Sequence, residues 1–218
     1  SKTAINALLM SIDVVNRPDL KSKLSQTLTQ LATTLAQLEQ FPQVDPIRLE
    51  KILKQLDNLI KSFNNQKVRI GERLRTNDFL NQIRLRLSNP GGICAYSTPA
   101  YSLWLSLPAK ERLKDLRIWA SEFSELQQII DLILFLTRNS GETQRVEAHN
   151  GFYSQNLNPT LPCQIVQVHV PADFQVYPEF SVGRHRLAIR FLRPSFHEHG
   201  RPTQLTESMP FELNCCRA

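Results

Sequence analysis

The run Glu125-Leu126-Gln127-Gln128-Ile129-Ile130-Asp131-Leu132-Ile133-Leu134-Phe135-Leu136-Thr137-Arg138-Asn139-Ser140-Gly141 marks the point where the chain changes character. Up to Asn139 it reads as a helix, apolar enough to be central to a helical bundle. Asp131 interrupts the apolar stretch Ile129 to Leu136, which is in any case too short to span a bilayer. Beyond Gly141, alternation replaces helical spacing. Ile165 to Val170 and Gln175 to Leu192 are rich in Val, Ile, Phe and Tyr, and Pro210 to Cys215 is a short apolar run. These are strand signals. The expected fold is α+β: an all-α helical domain over residues 1–140, then an antiparallel β-rich domain over 141–218.

Working backwards from that switch, the first part reads as helix after helix. Ser1 to Val15 is amphipathic; Asn6 and Asp13 interrupt it and no small-residue cleavage site follows, which argues against a signal peptide. Leu20, Leu24, Leu28, Leu31, Leu35 and Leu38 form one stripe, and Leu49, Ile52, Leu53, Leu56, Leu59, Ile60 and Phe63 form a second. The Pro-containing break at 41–46 between them predicts an antiparallel helical hairpin. Further helices are expected at Asp78–Ser88, Pro99–Leu107 and Ala109–Phe123, with Asn89-Pro90-Gly91-Gly92 as a stop signal after the first of these. Forwards from the switch, Asn150-Gly151-Phe152-Tyr153 reads as a turn entering a strand. Val182-Gly183 reads as a bulge or turn between strands.

A chain of 218 residues that is 41% hydrophobic can bury a core of its own. The net charge of +6 points to an acidic partner, whether nucleic acid, anionic lipid or an acidic protein segment. All of that excess lies in residues 1–140; residues 141–218 are balanced. Four cysteines, two of them adjacent, do not make a disulfide framework, so a reducing cytoplasm is the expected location.

Two basic concentrations stand out. In Arg184-His185-Arg186-Leu187-Ala188-Ile189-Arg190-Phe191, a strand would place Arg184, Arg186 and Arg190 on one face around Ala188, and Leu187, Ile189 and Phe191 on the other. Parallel guanidinium forks suit carboxylates or phosphates. The alternative is an ordinary polar strand face. The second group is Lys67, Arg69, Arg73, Arg75, Arg84 and Arg86, opposed by Glu72 and Asp78. It is either a solvated helix face or an anion-facing patch.

Signatures of catalysis are weak. His197-Glu198-His199 has metal-binding residue types at a spacing with no third ligand, so a polar turn is the simpler expectation. Cys94, Cys215 and Cys216 have no fixed His partner and read as buried small residues. Pro90-Gly91-Gly92 lacks the Lys-Ser/Thr of a phosphate-binding loop. No catalytic residue, metal or cofactor is expected. Nucleic acid is the alternative partner for the basic surface. Against it, the arginine strand carries no interleaved aromatic residue for stacking bases.

Arg86-Leu87-Ser88-Asn89-Pro90-Gly91-Gly92 followed by Leu103-Trp104-Leu105-Ser106-Leu107-Pro108 resembles the middle of the Z-ring-associated protein D (ZapD) family of bacteria. Asn150-Gly151-Phe152-Tyr153, Tyr177-Pro178, Arg186-Leu187-Ala188-Ile189-Arg190-Phe191 and Phe211-Glu212-Leu213 with Cys215-Cys216 continue the resemblance in order over essentially the whole chain. The resemblance implies a non-enzymatic division factor that binds the carboxyl-terminal tail of FtsZ, the bacterial tubulin-like GTPase. It implies a homodimer that cross-links FtsZ filaments at midcell, and a helical domain joined to a β domain. It places tail-binding arginines at Arg186 and Arg190, with Arg184 beside them and some of Arg75, Arg84 and Arg86 in support. Two departures weaken the helical half of that surface: Asp78 and Ser102 stand where members can carry a basic residue and a His. The family also has a further amino-terminal segment. As the chain has no initiating Met, the natural protein is expected to begin earlier.

Overall fold

The computed structural model describes residues 2–66, 68–87, 96–160, 163–196 and 200–217. The chain forms two compact units, Ser1–Leu132 and Ile133–Ala218. Helices occupy residues 2–138 and antiparallel strands 143–216, an α+β chain as expected.

The helices are α1 (Lys2–Val15), α2 (Leu20–Gln37), α3 (Pro46–Asn65), α4 (Glu72–Arg75), α5 (Asp78–Leu87), α6 (Pro99–Ser106), α7 (Ala109–Ser121) and α8 (Ser124–Arg138). The two leucine-rich stripes become α2 and α3. Ser25 Oγ donates to Asn64 Oδ1 (2.7 Å) and Lys21 Nζ to the Gln66 carbonyl (2.8 Å), so the start of α2 meets the end of α3. This is the predicted antiparallel hairpin. Asp45 starts α3: its Oδ1 accepts from the N–H groups of Ile47 (3.0 Å) and Arg48 (3.2 Å), and Pro46 occupies the first turn, where no N–H is missed.

A second helical core gathers Ile5, Leu8, Leu9 and Ile12 of α1 with Leu74, Leu80, Ile83, Tyr101 and Trp104. Trp119 packs on it, with its ring 5.8 Å from those of Phe79 and Trp104. The helix α8 is less central than its composition suggests. Leu126, Ile129 and Leu132 are buried, while Ile130 and Phe135 are exposed.

The second unit carries β1 (Thr143–Ala148), β2 (Phe152–Asn156), β3 (Ile165–His169), β4 (Tyr177–Val182), β5 (Arg186–Arg193), β6 (Thr203–Gln204) and β7 (Met209–Cys216). One sheet has the order β1-β7-β3; the other has the order β2-β5-β4, with β6 also on β5. Their apolar faces share one core, built on Leu187, Ile189 and Phe191 from β5 and Met209, Phe211 and Leu213 from β7. The Phe191 and Phe211 rings lie 4.9 Å apart. At full burial each such side chain contributes roughly 2 kcal/mol, so this core fixes which face of β5 points outwards. Asn150 and Gly151 both have positive φ (52° and 66°), the two central residues of a tight turn from β1 into β2. At Gly151 a Cβ would lie 2.4 Å from the Leu205 carbonyl, so both sterics and φ demand glycine.

Candidate functional site

β5 shows the alternation expected of it. Leu187, Ile189 and Phe191 are fully buried, Arg186 and Arg190 are exposed, and Ala188 lies between the two arginines on the outer face. Strand register extends that face sideways in rows, because residues directly opposite in antiparallel strands share a face. Phe152, Arg190 and Glu179 form one row, and Ser154, Ala188 and Ser181 the next. Arg186 sits opposite Asn156. The result is a groove of about 560 Å³ with Ala188 as floor, Arg186 and Arg190 as walls, and Phe152 and Glu179 at one end.

Two expectations are corrected here. Arg184 is exposed but not on the strand. β5 begins at Arg186, and Arg184 lies in the connection after Gly183, whose N–H donates to the Arg186 carbonyl (2.9 Å). The chain turns there because Gly183 ends the ladder, which alternation alone cannot reveal. The arginine face also has an aromatic neighbour. None lies on the outer face of β5 itself, but Phe152 is opposite Arg190 and 37% exposed.

These three arginines are held loosely. Arg186 Nη2 donates to Ser154 Oγ at 3.2 Å. Among the described residues neither Arg184 nor Arg190 makes an ion pair or a side-chain hydrogen bond, even though Glu179 is Arg190's cross-strand neighbour. Their guanidinium donors are open to a carboxylate or phosphate.

The helical arginines differ. Arg75, in α4, pairs with Glu72 (3.6 Å) and donates to the carbonyls of Val15 (3.5 Å) and Ile70 (3.4 Å). Its side chain is only 19% exposed, so it ties the end of α1 to α4. Arg73 pairs with Glu122 (3.3 Å) and Arg84 with Asp13 (3.7 Å). Arg86 is exposed near the end of α5. Asp78 lies in the first turn of α5, where a carboxylate complements the helix dipole. Ser102 is half-buried on α6. The fold also assembles a cationic cleft that the chain order conceals: Arg17 and Lys21 meet Arg69 and Arg75 around about 290 Å³. Those residues come from separate segments, so no local pattern announces the cleft.

Two of the thiols, Cys163 and Cys216, are held protonated by their surroundings. Burial, and then the neighbouring Cys215, push Cys163 up to about 11, and burial also raises Cys216. The Cys163 thiol donates to the Ile165 carbonyl (3.2 Å) and Gln155 Nε2 donates to Cys215 Sγ (3.3 Å). Cys94, Lys67 and His197-Glu198-His199 lie outside the described residues. Among the described residues no group of three His, Cys, Asp or Glu side chains could hold a metal, and no helix is long and apolar enough to cross a membrane.

Comparison with known proteins gives a consistent result. The family model ZapD, described as "Cell division protein", matches residues 1–190. A cell division protein ZapD of Coxiella burnetii is 46% identical over 217 residues, covering 100% of this chain and 84% of its own. Proteins of the same name from Methylococcus capsulatus and Nitrosomonas europaea are 31% and 32% identical. They cover 94% and 96% of this chain, and 80% and 79% of their own lengths.

Proposed function

The chain belongs to the ZapD family of cell division proteins, and from that premise we propose that it binds the FtsZ carboxyl-terminal tail and, as a dimer, cross-links FtsZ filaments. The reading needs no catalysis and no cofactor, and it places the protein in the cytoplasm at the midcell ring. One observation carries it. Arg184, Arg186 and Arg190 cluster on and beside one sheet face, and among the described residues none of them makes an ion pair, not even Arg190 with Glu179 opposite it.

The mechanism is electrostatic capture made effective by avidity. An exposed ion pair contributes on the order of 1 kcal/mol, so a single arginine holds a tail weakly and several must act together. A two-fold dimer presents two such faces. A filament displays many tails, so the second contact forms at high effective concentration. Arg75, Arg84 and Arg86, the other candidate tail contacts, belong to the helical unit, where Arg75 and Arg84 already pair with Glu72 and Asp13. Screening over about 8 Å at physiological ionic strength makes the whole interaction sensitive to salt.

The test is co-sedimentation with FtsZ and GTP, using FtsZ with and without its tail. Tail-dependent pelleting that salt weakens, and that the double variant Arg186→Glu/Arg190→Glu abolishes, is expected. Pelleting that survives the double variant would rule out this face. Phe152 beside Arg190 favours one second reading, a single-stranded nucleic acid stacked on the ring with its phosphates on the arginines. Fluorescence anisotropy with unrelated oligonucleotides separates the two. Tight binding at physiological salt supports nucleic acid; its absence leaves the tail as ligand.

A further inference from the structure

We infer that the acidic peptide docks by adding a strand to the free edge of β4, with its carboxylates and its apolar residues alternating along the chain. This rests on the tail-binding reading above and specifies its geometry. β4 is an edge strand: it pairs with β5 alone among the described strands. Hydrogen-bond parity says which of its backbone groups are free. Gly183 N–H donates to the Arg186 carbonyl, while the Phe191 and Leu157 N–H groups bond the β2 side, to Gly151 and His185. Residues 186, 188 and 190 therefore bond β4, through Gly183, Ser181 and Glu179. That leaves the N–H and C=O groups of Phe180 and Val182, and the Pro178 carbonyl, directed away from β5 with no other backbone partner among the described residues.

Such an edge is normally blunted by lysines, a bulge or a covering loop. Here Pro178 guards only its beginning, and Glu179 to Val182 are all exposed. The side chains also prescribe the ligand. Phe180 (47% exposed) and Val182 (52%) are opposite the core residues Ile189 and Leu187, so they share the inward face of the sheet but overhang the core. They offer apolar contact to alternate residues of an added strand. On the other face, Ser181 and Gly183 are small and leave Arg186 open. An added strand lies about 10 Å from β5, and a guanidinium from one side and a carboxylate from the other close that gap. Glu179 stands between Arg190 and the same edge and repels an acid placed opposite it. Carboxylates are therefore expected towards the Gly183 end, near Arg184 and Arg186, which orients the peptide. Main-chain bonds supply affinity and alternate side chains supply selectivity, as in other strand-addition complexes.

The experiment uses the full chain and a synthetic FtsZ carboxyl-terminal tail peptide, with affinity measured by fluorescence anisotropy. A set of peptides, each N-methylated at one backbone position, is compared with the parent. Strand addition predicts at least a tenfold loss at every second position of the docked stretch and little loss between. Val182→Pro, which removes an outward N–H, is expected to give a similar loss. The methylated peptides carry the test if that variant fails to fold. A flat methylation profile, with binding still abolished by Arg186→Glu/Arg190→Glu, would overturn strand addition while leaving the arginine face intact. Binding that survives the arginine variant would overturn both.

Discussion

Residues 1–140 hold all of the excess positive charge, and residues 141–218 are neutral overall. Yet charge totals do not show which arginines are open: among the described residues Arg17, Arg69 and Arg86 of the basic part and Arg184 and Arg190 of the neutral part all lack an ion pair. In the helical unit Arg73, Arg75 and Arg84 are each paired with a carboxylate, and Lys23, Lys54 and Lys61 pair along their own helices. In the second unit Arg145 and Arg193 pair with Glu212 and Glu207, whereas among the described residues Arg190 on β5 and Arg184 beside it have no such partner and Arg186 has only a serine. Net charge counts residues, whereas recognition depends on which of them the fold leaves unneutralised. A helix surface brings carboxylates within reach at i+3 and i+4. A strand face offers only its cross-strand neighbours, and on β5 Arg186 lies opposite Asn156 and bonds the diagonal Ser154, both neutral, while Glu179 does not close on Arg190.

The contrast is most directly broken by charge reversal in each region. Arg186→Glu/Arg190→Glu is expected to weaken tail-peptide binding by about 3 kcal/mol, roughly a hundredfold, because two attractions become repulsions. Arg84→Glu/Arg86→Glu is expected to cost less than about tenfold by the same scale. Equal losses in anisotropy titrations would mean that the helical arginines are as available as the sheet arginines.

A smaller effect separates the regions by stability. Arg75→Ala removes a mostly buried guanidinium that joins α1 to α4, and should destabilise the helical unit by about 1–3 kcal/mol. Arg190→Ala should change stability by less than about 0.5 kcal/mol. Urea unfolding followed by tryptophan fluorescence reads the first, since Trp104 and Trp119 both pack on the core that Leu74 of α4 joins. Circular dichroism reads the second. Similar shifts in both would erase the distinction between structural and available arginines.

Salt sharpens the comparison further. Raising ionic strength from physiological to about 1 M shortens screening from about 8 to 3 Å, and should weaken tail binding severalfold while moving the unfolding midpoint little. The smallest effect concerns the thiols. With Cys163 pushed up to about 11, its thiolate is scarce at neutral pH. Iodoacetamide should label it slowly at pH 7 and progressively faster as pH rises towards 11, as followed by peptide mass spectrometry. Rapid labelling at pH 7 would show that its surroundings do not hold the proton.

Much of this architecture was legible in the sequence. The stripes at 20–38 and 49–63 became α2 and α3, and the alternation at 186–191 became β5 with its apolar side fully buried. The elements that escaped notice are those with little local signal. β1 reads Thr-Gln-Arg-Val-Glu-Ala, mostly polar and exposed, and is a strand because β7 pairs with it along its length. β6 is two residues long and α4 four. At the candidate site, Arg186 and Arg190 were legible as a pair on one face. Arg184 was misplaced because the strand starts two residues later than the alternation, and Phe152 was missed because it reaches Arg190 only through pairing across 38 residues of chain.

Periodicity and composition by themselves determined the helical and strand halves, the buried side of β5 and the basic character of the chain. Those properties follow from where apolar residues recur along a single segment. Only the tertiary structure decided which cations are spent on internal carboxylates, which aromatic ring stands beside which arginine, and which strand keeps an open edge. Each of those depends on register and packing between segments distant in sequence, and a one-residue slip in register would reverse the face on which every side chain of a strand lies.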